Sequence, residues 1–367
     1  MSKKTRIEPE TTMRFFDYKK EYEKLLSADI VSLLTAIHEY KGKLLQITGD
    51  KAETLAQLVE TAKIRSAGAS NGIEGISASD DRLQKIVKGK THPKTRSEKE
   101  IAGYRDVLST IYQSYEYIPP RSSMILQLHR DLYKFTGSPT GGSYRNSDDC
   151  AVETDKQGSR DVRFQSVAAP ETPEYVDAIC SAYEDALRGG ETDALALIPV
   201  FVLDFLCVRP FNDGNGRMSR LLTLLLLCRA GYTVGKYVSV EQLITDSAET
   251  YREALRESSY GWREGENDYA PFVRYFLRII AAAYCEFEKR AALIIDGDYS
   301  KPERIREIIK ERLGPITKSE IMKECPDISQ VTVQRALNDL LKNGQIAKLG
   351  GGRYTKYVWE NSKESVL

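Results

Sequence analysis

The spacing of apolar residues along most of this chain is that of amphipathic helices. Apolar positions recur at helical intervals over residues 30–40 and again over residues 55–62. The second run leads into residues 68–72, where two glycines in five positions weaken a regular continuation, so we predict a break there. Three further segments have helical spacing, at residues 96–116, 121–135 and 173–189.

The most apolar part of the chain, residues 195–227, is interrupted by the polar, glycine-containing residues 209–217. A helix that is apolar nearly all round lies at the centre of a core. We therefore predict two central helices joined by a polar loop at the mouth of the core. A β-hairpin is predicted before them, because strand-like runs at 151–154 and 161–164 flank a turn-like sequence at 156–159.

A separate module is predicted at the C-terminal end of the sequence. Residues 296–302 have the composition of a linker, Thr317 begins a capping-box sequence, and a further helix is predicted over 331–341. Three glycines at 350–352 lie within a predicted β-wing, residues 348–358. This order of helices and wing resembles a winged-helix domain.

Composition and charge narrow the class of protein. The 367 residues are 41% apolar and 29% charged, which argues against a disordered or fibrous chain and fits two or three domains. The 53 basic and 53 acidic residues cancel, so no net field draws the chain to nucleic acid or membrane. Residues 301–359 differ, with 12 Lys and Arg against 7 Asp and Glu, a net +5.

The sequence argues against membrane, secreted and zinc-binding proteins. Its longest apolar stretch, residues 194–208, contains Pro199 and Asp204 and is shorter than the roughly 18 uncharged residues that a span needs. The first ten residues contain no apolar segment typical of a signal peptide. Six cysteines and three histidines are widely scattered, so we expect a cytoplasmic protein with no membrane partner and neither disulfides nor zinc.

The polar loop between the two central helices carries the candidate chemistry. Gly214 and Gly216 allow a tight turn and a close approach to a ligand, and the following helix directs its free N–H groups and positive dipole end at that turn. Arg217 and Arg220 lie on one helical face, where both can reach phosphate oxygens. Asp213 is an oxygen ligand suited to Mg²⁺. A nucleotide phosphate is the predicted ligand, although neither the dinucleotide fingerprint nor the P-loop pattern is complete here.

The longer string RPFNDGNGRMSR, at residues 209–220, resembles the signature of the Fic (Fido) family, H-P-F-x-[DE]-G-N-G-R-x-x-R, at every defined position except the first. The resemblance extends upstream through residues 128–132 and 142–145 to the hairpin. SNGIEG, at residues 70–75, is similar to the family's inhibitory motif [ST]-x-x-x-E-[GN]. Residues 60–295 together resemble a Fic protein whose inhibitory helix lies on the N-terminal side.

This resemblance implies an activity and a set of roles. Fic proteins typically transfer AMP from Mg·ATP to a Ser, Thr or Tyr hydroxyl of a target protein. By position, Asp213 would bind Mg²⁺, Arg217 would face the phosphates and Arg220 would hold the γ-phosphate, while Phe211 would anchor the loop. The hairpin would align a target segment by strand addition. The backbone that would cradle the phosphates belongs to Gly214, Asn215 and Gly216. The aromatic candidates for adenine contacts, or for ordinary core packing, are Tyr251 and Trp262.

The motif at residues 70–75 implies autoinhibition. Its Glu74 carboxylate would pair with Arg220 and take the place of the γ-phosphate, so that bound ATP loses its productive orientation. Ser70 and Gly75 are the other defined residues of this inhibitory motif.

The sequence departs from the family at its first motif position, where Arg209 replaces the histidine that accepts the proton of the target hydroxyl. Arginine is not deprotonated in proteins, and loss of general-base help costs about 10²–10⁴ in rate. Because the three histidines are distant in sequence, we expect none of them to lie near this position. Three interpretations stay open: weak transfer through phosphate activation alone, ATP binding without transfer, or an arginine introduced by substitution.

The prediction is a mainly α protein, with a Fic helical core and a small β-hairpin flap followed by a winged helix-turn-helix domain. Its predicted parts are an N-terminal helical region with the inhibitory motif (1–110), the Fic core (111–295) and the winged-helix domain (296–367). The leading function is an autoinhibited protein adenylyltransferase that uses ATP and Mg²⁺ on a target protein. The alternative is an ATP-sensing pseudoenzyme that regulates through DNA binding. Removal of AMP from proteins and self-association into a homo-oligomer also stay open.

Overall fold

Helices make up most of this chain, which a computed structural model describes over residues 13–148, 150–154, 160–295, 300–311, 315–325, 328–352 and 355–360. The described residues fall into two units. The first unit takes its residues from Met1–Lys41 and Lys63–Tyr284, and the second from Gly42–Ala62 and Cys285–Leu367. Within the described ranges, no helix combines the length and the apolar character that crossing a bilayer requires.

The first unit is helical apart from one hairpin. Its helices before the hairpin are α1 (Tyr18–Leu25), α2 (Ala28–Ile73), α3 (Asp80–Val87), α4 (Arg96–Ser114) and α5 (Ser122–Leu132). Those after it are α6 (Thr172–Arg188), α7 (Ala194–Val208), α8 (Asn215–Arg229), α9 (Val240–Asp246), α10 (Ala248–Ser259) and α11 (Ala270–Ile295). Helices α2 and α11 contribute residues to both units. Short 3₁₀ turns occur at Tyr115–Tyr117, Ala169–Glu171 and Val234–Lys236.

The predicted break at residues 68–72 is wrong, because α2 continues through them as one helix and ends at Ile73. Tertiary packing outweighs the low helix propensity of the two glycines. Ser70 and Asn71 are fully buried, and a Cβ at Gly68 would come within 2.9 Å of the Leu83 side chain. Glycine at position 68 therefore permits a close approach between α2 and α3.

The predicted hairpin is confirmed, with strands β1 (Cys150–Thr154) and β2 (Arg160–Gln165). The strands pair antiparallel, and their register shifts between Ala151 and Val152. The predicted turn at 156–159 lies outside the described residues. The two central helices, α7 and α8, are also confirmed, since both are buried along nearly their whole length.

The second unit combines three helices with a small antiparallel sheet after residue 300. These elements are α12 (Lys301–Glu311), β3 (Ile316–Thr317), α13 (Lys318–Glu324), α14 (Gln330–Lys342), β4 (Ile346–Leu349) and β5 (Lys356–Trp359). The strand order is β3-β5-β4. The capping box of α13 is confirmed, because Thr317 Oγ1 accepts from the Glu320 amide and Glu320 accepts from the Thr317 amide. The linker prediction is wrong for residues 301 and 302, which already belong to α12; residues 296–299 lie outside the described part.

Candidate functional site

The loop between α7 and α8 is closed by the side chain of Asn215. Its Nδ2 donates to the Phe211 carbonyl at 2.7 Å, and its Oδ1 accepts from the Phe211 amide at 2.9 Å. Gly214 has φ +83°, and a Cβ there would come within 2.9 Å of the Tyr133 hydroxyl. These contacts fix a tight turn directly before the N-terminus of α8, where backbone amides are available to an anion.

Phe211 anchors this loop in the core, as predicted: it is fully buried and stacks on His129, with ring centroids 3.6 Å apart. The Nδ1 atom of His129 accepts from the Gly142 amide at 2.9 Å, so its Nε2 atom carries the proton and donates to the Asp213 carbonyl at 3.1 Å. Burial lowers the pKa of His129 to about 4. The ring is therefore neutral at physiological pH, and both of its nitrogens are engaged.

The expectation that no histidine lies near the motif is wrong. His129 packs against the loop although it lies about eighty residues before it in the sequence. The signal was present, since residues 128–132 belong to the segment that resembles the family. With both ring nitrogens in hydrogen bonds, His129 supports the loop and does not replace the missing base.

Arg209 ends α7 in a left-handed conformation, with φ +49° and ψ +63°. Among the described residues other than glycine, it is the one with positive φ. Such a conformation costs about 1–2 kcal/mol and persists only where the surroundings impose it. The constraint comes from Arg145, whose Nε donates to the Arg209 carbonyl and whose amide donates to the Pro210 carbonyl, both at 2.9 Å.

Arg145 also holds both ends of the hairpin. Its guanidinium, which is fully buried, donates to the carbonyls of Ser147, before β1, and Val167, after β2. One side chain therefore fixes the hairpin and position 209 together. Arg145 belongs to the segment 142–145, which resembles the family, but the resemblance alone implied no role for it.

The buried Arg220 guanidinium is the centre of a hydrogen-bond network that includes one ion pair, with the partly exposed Glu74. Its NH2 group donates to Glu74 Oε1 at 2.7 Å and to the Ser70 carbonyl at 2.9 Å, and its Nε donates to Ser70 Oγ at 2.7 Å. Gly75, with φ +75°, follows directly after the end of α2. The fold thus brings Arg220 into contact with Ser70 and Glu74, which lie about 150 residues earlier in the sequence.

The Glu74 carboxylate also lies over the N-terminus of α8. A Cβ on Gly216 would be 2.2 Å from Glu74 Oε1, so position 216 must be glycine for the carboxylate to lie there. A carboxylate at the positive end of a helix, paired with an arginine, occupies a place that suits a phosphate equally well.

Arg217 does not face the open side of the loop, contrary to the role predicted for it. Its side chain is 1% exposed, and its NH1 group lies 2.8 Å from Glu100 Oε2, whose side chain is 5% exposed. Its NH2 group donates to the Tyr133 hydroxyl at 2.7 Å. Because these partners hold the guanidinium in the core, Arg217 supports the turn from its buried side. The sequence did not identify Glu100, which lies on α4, about 120 residues earlier.

Asp213 lies at the rim of the loop. Its side chain is 61% exposed, with Oδ2 3.7 Å from Arg217 NH2, and its Oδ1 accepts from the Gly214 amide at 2.7 Å. An exposed carboxylate beside helix N-terminal amides suits Mg²⁺ that arrives with phosphate, because Mg²⁺ usually takes one or two carboxylates together with phosphate oxygens.

Comparison with known proteins identifies this part of the chain. The Fic/DOC family model matches residues 119–227, from just before α5 to the last turn of α8. Residues 119–227 are a Fic/DOC domain.

Relatives of the Fic/DOC domain extend the comparison beyond the matched segment. "Protein adenylyltransferase Fic" of Nematostella vectensis is 26% identical over 256 residues, 67% of this chain and 53% of the relative. The chain thus spans about half the length of this curated relative. A Fic family protein from Desulfovibrio desulfuricans G20 shares the fold with a TM-score of 0.60 at 20% identity, over 93% of this chain and 98% of that one. Fic-1 (residues 134–508) of C. elegans gives 0.57 at 19% identity, over 73% and 74%.

The two adenine candidates lie outside the Fic/DOC domain. Trp262 is a core residue: it is 1% exposed and its Nε1 donates to the buried Asp204 carboxylate at 2.7 Å. Of the two alternatives left open for Trp262, this burial fits ordinary core packing. Tyr251 is partly exposed and packs against Phe272 and Tyr275.

Proposed function

We propose that this chain is a Fic-type protein adenylyltransferase, which transfers AMP from ATP to a hydroxyl of a target protein and is autoinhibited by Glu74. One observation carries the proposal: the Glu74 carboxylate pairs with Arg220 over Gly216, at the positive end of α8. A carboxylate there competes for the place that the terminal phosphate of a nucleotide would take. The similarity to a relative named as an adenylyltransferase supports the same reaction.

The nucleotide phosphates would lie on the turn before α8. The first amides of a helix have no intrahelical acceptors, so those of Asn215 and Gly216 would donate to phosphate oxygens. The amide of Gly214 already donates to Asp213. Gly214 would therefore contribute by its left-handed backbone, which shapes the turn. Arg220 would bind the γ-phosphate once Glu74 withdraws, and Arg217 would keep the turn in place from the core.

Mg²⁺ would be held by Asp213 together with the phosphates. The Asp213 carboxylate fits such an ion because Mg²⁺ prefers oxygen ligands and this carboxylate is exposed at the rim of the loop. When bound, the ion would neutralise charge on the phosphates as the pyrophosphate leaves.

The transfer itself would be slow in this chain. The target hydroxyl oxygen would attack the α-phosphorus, pyrophosphate would leave, and the hydroxyl proton would pass to a base. Arg209 occupies the place of that base and cannot accept the proton. Both ring nitrogens of His129 are already engaged, so the proton would pass to solvent.

The location of the transferred label tests the proposed reaction. The double variant Glu74→Gly, Arg209→His is incubated with ATP labelled at either the α- or the γ-phosphate. AMP transfer places label on protein from α-labelled ATP alone, because the γ-phosphate departs with pyrophosphate. Label from γ-labelled ATP, or from neither, contradicts the proposal. Loss of label from an AMP-modified protein would instead favour removal of AMP.

Residues 296–367 are proposed to form a winged-helix domain. The order α12, α13, α14 and then the strand pair β4–β5 supports this, as does Ser329, whose Oγ caps α14 by accepting from the Thr332 amide at 3.2 Å. The alternative function, an ATP-sensing regulator that binds DNA, stays a prediction. The boundaries 1–110 and 111–295, the cytoplasmic location and the homo-oligomer also stay predictions.

A further inference from the structure

Beyond Glu74, Arg220 is connected to residues that lie in the core of the first unit. Its Nε donates to Ser70 Oγ at 2.7 Å, and Ser70 is in turn a hydrogen-bond partner of the Tyr104 hydroxyl. Tyr104 donates to Glu241 Oε1 at 2.8 Å. Glu241 Oε2 accepts from Ser239 Oγ at 3.1 Å. A single chain of hydrogen bonds therefore runs from Arg220 to a buried carboxylate.

Every member of this chain is buried. Ser70 and Tyr104 are 0% exposed, Glu241 is 1% exposed and Arg220 is 4% exposed. Burial and the nearby Glu241 raise the pKa of Tyr104 well above its usual value of 10. Tyr104 therefore stays protonated, and its hydroxyl remains a donor to Glu241.

A buried carboxylate needs a reason, because its desolvation costs several kcal/mol and an apolar side chain would fill the same space at no such cost. The cation that this chain connects to Glu241 is Arg220. The carboxylate thus opposes a charge that must stay buried both when Glu74 is engaged and when Glu74 has withdrawn.

We propose that Tyr104 and Glu241 are positioning residues: acting through Ser70, they hold the Arg220 guanidinium in the orientation that binds the terminal phosphate of ATP. Ser70 thereby has a function apart from inhibition, since it orients Arg220 in the released state as well. This inference rests on the proposed function, in which Arg220 binds the γ-phosphate.

The test compares ATP with AMP, which lacks the terminal phosphates that Arg220 would bind. In the full-length Glu74→Gly chain, Tyr104→Phe removes one hydroxyl and keeps the ring. We expect its Kd for Mg·ATP to rise about 3- to 10-fold, the value of one hydrogen bond, while its Kd for AMP changes less than about twofold. Glu241→Gln, which keeps an acceptor for Tyr104 but removes the charge, should lose less ATP affinity than Glu241→Leu, which removes both.

Tyr112→Phe is the matched control. Tyr112 lies on the same helix, α4, is also buried, and donates to the Gly235 carbonyl at 2.6 Å, outside the chain that reaches Arg220. It should leave both affinities unchanged. An unchanged ATP affinity in Tyr104→Phe, or an equal loss for ATP and AMP, overturns the inference. If the Glu74→Gly parent itself binds neither nucleotide, the proposed function fails and the inference fails with it.

Discussion

Replacing Arg209 by histidine in a Glu74→Gly background should raise AMP transfer about 10²- to 10⁴-fold over Glu74→Gly alone. The reason is the missing base, since a guanidinium cannot take the proton of the attacking hydroxyl. The backbone at position 209 can accept a histidine. Arg145 Nε holds the carbonyl of residue 209, a contact that does not depend on the side chain there. Histidine also tolerates left-handed φ better than most residues.

The measurement is auto-modification with α-labelled ATP, for the parent, both single variants and the double variant. Arg209→His alone should stay low, because Glu74 still occupies Arg220. Glu74→Gly with Arg209→Gln is the matched control, since it removes the charge at position 209 without supplying a base. Equal labelling of Glu74→Gly and the double variant would show that position 209 does not have the role assigned to it.

Replacing Glu100 by alanine should lower the free energy of unfolding by about 3–5 kcal/mol, the cost of removing one partner of a buried ion pair. Glu100 and Arg217 are 2.8 Å apart, with side chains 5% and 1% exposed. Without Glu100, the Arg217 charge stays in the core beneath the candidate phosphate turn. We therefore expect the loss of stability to be accompanied by weaker ATP binding.

A surface ion pair with nearly the same distance between its charged atoms provides the control. Lys85 and Asp81 are 2.7 Å apart, but their side chains are 51% and 70% exposed. Asp81→Ala should cost less than about 1 kcal/mol, because water screens the pair. Urea unfolding followed by tryptophan fluorescence measures both variants. Similar losses in the free energy of unfolding for the two variants would mean that burial does not make the Arg217–Glu100 pair more important to stability than a surface pair.

The central helices and the hairpin could be predicted from the sequence because their signals are local. Outside the loop, residues 195–227 are apolar nearly all round, and strand-like runs flank the turn of the hairpin. The contact of Arg220 with Ser70 and Glu74 was also predictable, since each of the three belongs to a recognisable motif, and the fold brings them within hydrogen-bond distance.

The remaining features depend on contacts between residues far apart in the sequence. Local propensity predicts a break at residues 68–72, but burial of Ser70 and Asn71 keeps α2 helical. Helical periodicity places Arg217 and Arg220 on one face, yet only the position of Glu100 on α4 decides that Arg217 turns into the core. No local pattern brings His129 to the loop.

The proposed function requires above all that the turn before α8 binds a magnesium-bound nucleoside triphosphate. Isothermal titration of Mg·ATP into the full-length Glu74→Gly chain tests this most directly, with the parent chain titrated alongside. We expect saturable binding of Mg·ATP, tighter in Glu74→Gly than in the parent, because removal of the carboxylate frees Arg220. Failure of Glu74→Gly to bind Mg·ATP would contradict this claim.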